Sequence, residues 1–162
     1  MTSSHDGAKL PFVVEWRDGF RTGIDTIDRQ HLHLFALVRA LDLHSVDHTV
    51  DALLNYVVTH FTDEQALMEQ SGYPAFEQHL QLHEDFAAHV AHFMGAGDAW
   101  TQERVHELRR FLNKWLISHI MTHDMRFGKW YAVHCGPDGL PAAPDSAGAG
   151  LVARLFGGRK QR

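Results

Sequence analysis

Five histidines and two carboxylates interrupt the apolar stripes of four helix-periodic stretches. They are His31 on the first stretch, His60 and Glu64 on the second, His79 and His83 on the third, and His119 and Asp124 on the fourth. Each takes a place that an apolar stripe would otherwise give to a hydrophobe, so all seven face one bundle core. A buried polar group without a partner costs about 1–3 kcal/mol. A core holding all seven is therefore stable only if something binds them, and a pair of metal ions would satisfy nearly all at once.

The stripes set the expected fold. The first stretch runs from about Thr26 to His44, with Ile27, Leu34, Phe35, Val38 and Leu41 in register. The second runs from about Val46 to Gln70, with Asp47 as the expected N-cap and Gly72 as the stop. The third opens at Pro74, a residue suited to a first helical position, and ends at Gly95 and Gly97. The fourth opens near Thr101 and continues to about Tyr131. Short connections predict antiparallel neighbours, hence an all-α, up-down-up-down antiparallel four-helix bundle. Residues 1–26 read as an N-terminal arm whose Phe12, Val13, Val14, Trp16 and Phe20 can pack on the bundle. Residues 1–131 form the expected domain. Residues 132–162 read as a flexible Gly/Pro/Ala-rich tail, with a short amphipathic turn at Leu151–Phe156 and a basic end that could dock on a partner.

Residues four apart share a helix face. His60 and Glu64 can thus reach one point, and so can His79 and His83. Seven donors exceed a tetrahedral site. Imidazoles with carboxylate bridges suit two six-coordinate ions sharing Glu64 and Asp124, with one position left open for a small diatomic ligand. One spacing resists. His119 to Asp124 is five residues, a rotation of about 140° on an ideal helix. Either the helix widens locally into a π turn, or His123 is the ligand.

Composition excludes several classes. The net charge of −5 argues against nucleic acid as a partner. A single cysteine, Cys135, rules out an internal disulfide and points to a reducing cytoplasm; it is expected in a mobile region. Met1 to Leu10 lacks the apolar core of a signal peptide, and no segment approaches the roughly 18 apolar residues of a spanning helix. Fourteen histidines are more than a site needs. His5, His33, His44, His48, His89, His92, His106, His123 and His134 read as surface residues, with His123 the exception to watch.

Four segments carry a resemblance: GIDTIDRQH (Gly23 to His31), HFTDEQALM (His60 to Met68), YPAFEQHLQLH (Tyr73 to His83) and KWLISHIMTHD (Lys114 to Asp124), with Trp16 in the arm. Over about residues 12 to 131 the chain resembles the hemerythrins, in particular their single-domain bacterial form. The resemblance implies a non-haem, oxo- or hydroxo-bridged pair of iron ions. His79, His83 and His119 would hold one iron, His31 and His60 the other, and Glu64 and Asp124 would bridge, which favours Asp124 over His123. It implies reversible dioxygen binding for storage, buffering or delivery rather than an enzyme; the chain is expected to be a cytoplasmic monomer. Leu34, Phe61, Trp115 and Ile120 match positions lining an apolar oxygen pocket. Thr122 departs from the apolar residue expected there and would speed autoxidation if its hydroxyl faced the pocket. Gln65 stands where an acidic residue is common and is expected to face solvent. Two other uses of such a centre compete: an oxidase, peroxidase or nitric oxide-handling enzyme, and an oxygen sensor acting through a partner.

Overall fold

The computed structural model describes residues 14–97 and 99–135. Among them α1 spans Asp25–Arg39, α2 Val46–Ser71, α3 Phe76–Gly95, α4 Gln102–His119 and α5 Met125–His134. A π segment, Ile120–Asp124, joins α4 to α5 without a break, so these form one continuous fourth helix. The architecture is the expected all-α four-helix bundle, with α1 packed on α2 and α4, and α2 on α3. No helix of the described residues is long and apolar enough to cross a membrane. The first thirteen residues and the tail from Gly136, including the expected linker and docking turn, lie outside the described residues.

Three helix boundaries differ from the periodic reading, one being the end of the fourth helix, which runs past Tyr131 to His134. The first helix stops at Arg39, short of His44. Asp42 Oδ1 accepts from the His44 amide at 2.9 Å, a local turn that competes with helix. The buried Arg109 of α4 donates to the Leu41 carbonyl, capturing an acceptor that continued helix would have used. Pro74 sits in the turn before α3, which begins at Phe76. Asp47 does not cap α2. Ser45 holds that place, and Asp47 accepts from Trp100 Nε1 at 2.9 Å instead. Gly72 does end α2, in a left-handed conformation (φ 71°) that favours glycine. Cys135, just past the end of α5, is buried, and burial pushes its thiol pKa up.

The apolar core falls into two clusters. The larger gathers Leu34, Phe35, Val38, Leu53, Phe61, Phe86, Leu112, Leu116 and their neighbours; the smaller is Met68, Tyr73 and Phe127. Along α2 the order is Leu53, Phe61, Glu64, Met68, and along the fourth helix Leu116, His119, Asp124, Phe127. The polar residues therefore form a layer between the two clusters. The arm closes over one side. Phe20 stacks on Phe35 with ring centroids 5.5 Å apart, and Trp16 lies 6.3 Å from the His31 ring. The buried Asp28 ties the arm down: Oδ1 accepts from the Thr22 amide at 2.7 Å and the Thr22 hydroxyl at 2.8 Å, and Oδ2 from the Gly23 amide at 3.1 Å.

Candidate metal centre

All seven predicted ligand residues meet in the buried layer, none more than 4% exposed. They form two donor groups: Glu64, His79, His83 and His119 in one, and His31, His60, Glu64 and Asp124 in the other. Within each group the donor atoms lie within 4.8 Å of one another. Glu64 belongs to both. Its Oε2 is 3.1 Å from His79 Nε2, 3.4 Å from His83 Nε2 and 4.0 Å from His60 Nε2. Asp124 spans the same gap with its two oxygens. Oδ2 is 3.0 Å from His31 Nε2, while Oδ1 is 3.0 Å from His119 Nε2 and 3.3 Å from His79 Nε2.

The π segment makes this possible. Widening at Ile120–Asp124 absorbs the extra residue between His119 and Asp124 and brings both onto the inner face. His123 is half-buried and lines an outer hollow instead. Of the two candidates left by the spacing, the widened turn places Asp124, and not His123, among the buried donor groups.

The electrostatics fit a bound cation. Burial holds His60 neutral, its pKa lowered to about 3. Burial likewise lowers His83 to about 4, despite the pull of Glu64. Burial also opposes charge on His79, but its hydrogen bond to Glu64 prevails and raises its pKa. Burial would raise Glu64; hydrogen bonds from His79 and His83 outweigh it and hold the carboxyl well below its usual range. For Asp124, burial and Glu64 push upward, while His119 and His31 bring the carboxyl below the usual range. At His60 and His83 the layer thus offers bare imidazole nitrogens beside ionised carboxylates, the protonation states that metal ligands require, while His79 would give up the proton it shares with Glu64 on binding an ion. Both nitrogens of His31, Glu64 Oε1 and both oxygens of Asp124 are buried without a hydrogen-bond partner. Orphaned donors of this kind in a sealed layer fit a positive ion.

Leu34, Phe61 and Trp115 line one apolar cavity of about 20 Å³ with Val38, Phe86 and Leu116 among its other walls. Ile120 is fully buried but is not among the lining residues. The two aromatic walls also orient ligands: Phe61 stacks on His83 with centroids 3.7 Å apart, and Trp115 on His119 at 4.3 Å. A mixed hollow of about 250 Å³, with Ala75 and Leu82 beside Gln78, His123 and Arg126 in its lining, reaches His79. Thr122 is exposed, so its hydroxyl does not face the cavity. Of the remaining histidines in the described residues, all but His123 are exposed.

Two buried glutamines stand behind the imidazoles, against the solvent-facing place expected for Gln65. Gln65 does not face solvent; it is 6% exposed and meets His83 Nδ1 at 3.0 Å. Gln30 is buried and its Oε1 stands 2.9 Å from His60 Nδ1. Helical spacing held the signal for both. Gln65 lies one turn past Phe61 and Gln30 three residues past Ile27, each on the apolar stripe.

Comparison with known proteins agrees with this arrangement. Residues 22–131 match the family model of the hemerythrin HHE cation binding domain. The chain is 32% identical over 129 residues to a bacteriohemerythrin of Stenotrophomonas maltophilia, covering 75% of this chain and 84% of that protein. It is 31% identical over 119 residues to hemerythrin subunit alpha of Lingula anatina, covering 74% of this chain and 96% of that protein. A bacteriohemerythrin of Pseudomonas paraeruginosa is 29% identical over 116 residues, covering 67% and 75%. With the matched region enclosing all seven donor residues, the chain belongs to the hemerythrin family.

Proposed function

We propose that this chain binds dioxygen reversibly at a non-haem di-iron centre, for oxygen storage, buffering or delivery. The observation that carries the reading is the pair of buried donor groups that share Glu64 and are spanned by the two oxygens of Asp124. His79, His83 and His119 would hold one iron, His31 and His60 the other, with Glu64 and Asp124 between them. When bound, the iron pair supplies electrons that dioxygen can take up and return. The chain's own residues make that return possible. Phe61 and Trp115 pin His83 and His119 by stacking, and with Leu34 they line an apolar space of about 20 Å³, room for a diatomic molecule. A wall of this kind excludes the water and protons that would carry reduced oxygen away. Neither donor group needs a residue from a second chain, so the site is complete in a monomer, and the single cysteine suits a reducing cytoplasm.

The test is optical. Iron-loaded, reduced protein exposed to air gains visible charge-transfer bands and loses them under vacuum, with two irons counted per chain. A protein that stays colourless, or bleaches once and never recovers, overturns the reading. An enzymatic use of the same centre has one observation in its favour, the outer hollow in which His123 and Arg126 join His79. Peroxide turnover above that of free iron would promote it.

A further inference from the structure

His60 and His83 each meet a glutamine amide at Nδ1, but the two amides are not held alike. Gln30 lies between His60 and Asp63. Its Nε2 donates to Asp63 Oδ2 at 2.6 Å, and its Oε1 stands 2.9 Å from His60 Nδ1. A carboxylate only accepts, so the atom facing Asp63 is the amide nitrogen. The amide oxygen is left for His60. It too only accepts, so His60 Nδ1 must carry the ring proton. His60 Nε2, turned towards Glu64, is then a bare lone pair, the form that binds metal. Gln65 stands 3.0 Å from His83 Nδ1, with no second hydrogen bond to its amide among the described residues. That amide can present either face, and His83 can take either tautomer.

The geometry points to Asp63 as a positioning residue that acts through Gln30 to fix His60 in its metal-accepting tautomer. Asp63 is exposed and is not itself one of the donor residues. The inference rests on reading the buried layer as a metal centre, and it makes the His60 half of that centre the one ordered before any ion arrives.

The experiment compares wild type, Asp63→Ala and the double variant Asp63→Ala/Gln30→Glu. Glutamate at position 30 is acceptor-only, so it fixes the His60 proton on Nδ1 without help from Asp63. Nitrogen-15 spectra of the metal-free chain are expected to show His60 protonated at Nδ1 in wild type, mixed in Asp63→Ala, and again at Nδ1 in the double variant. Competition of Co(II) against a chelator should show one site weakened about tenfold in Asp63→Ala and restored in the double variant, a loss of the size typical for groups that orient metal ligands. Two results overturn the proposal: His60 staying wholly Nδ1-protonated in Asp63→Ala, or the double variant binding Co(II) as weakly as Asp63→Ala. The tautomer readout needs neither metal nor oxygen, so its failure and failure of the dioxygen reading appear in different measurements.

Discussion

Burying His60 and His83 in a layer that also holds Glu64 and Asp124 makes the metal-free chain sensitive to acid. An unfolded histidine titrates near 6.5, whereas burial lowers folded His60 to about 3 and His83 to about 4. As pH falls from 6.5 towards 4, the unfolded chain takes up protons that these two folded residues refuse, so stability falls with pH. The depressed carboxyls of Glu64 and Asp124 add to the loss at the acid end, while the raised His79 works the other way. Thermal unfolding of the metal-free chain should therefore show a midpoint that drops across this window; a flat profile would contradict the buried, neutral imidazoles. At this scale the ligand types were legible in the sequence, because a histidine on an apolar stripe stands out. The amide partners were not. Gln30 and Gln65 look like ordinary polar residues until the neighbouring helix places an imidazole nitrogen against each.

Two elements carry strain-sensitive geometry. The π segment Ile120–Asp124 turns Asp124 inward and leaves His123 half-buried beside the outer hollow. Asp124→Ala should lose at least one ion per chain. Adding His123→Asp, which puts a carboxylate where an ideal helix would want it, should not bring the ion back, as counted by metal analysis after loading. Recovery of a full complement would show that the widened turn is not what selects the ligand. On α5, a Cβ at Gly128 would run into the Thr22 carbonyl, part of the arm segment that Asp28 anchors. Gly128→Ala must displace backbone there, at a cost of about 1–3 kcal/mol, which denaturant titration would register as a lower midpoint at unchanged slope. Helix identity and number were legible from apolar periodicity. The early end of α1 was not, because a turn at Asp42 and a hydrogen bond from Arg109, 68 residues away in sequence, decide it.

For the molecule as a whole, the polar layer between two apolar clusters couples metal binding to folding. Ions that bind only the folded chain stabilise it by about 2.7 kcal/mol per site at a hundredfold excess over Kd. For a chain of this size that corresponds to a rise in thermal midpoint of roughly 5–10 °C per site. Calorimetry of stripped and reloaded protein would measure it, and equal midpoints would mean that the layer is content without ions.

The sequence by itself determined the helices and six of the seven candidate donors, because period and ligand spacing are local properties of a helix and need no neighbour to be read; between Asp124 and His123 the spacing left the choice open. Which side chains meet across helices was decided by tertiary packing alone. It joined Glu64 to both donor groups, gave Asp124 one oxygen for each, stacked Phe61 and Trp115 on the imidazoles, and set Asp63 and Gln30 behind His60. These are contacts between residues far apart in the chain, and only the helices' relative rotation and the widened turn in the fourth helix bring them within reach.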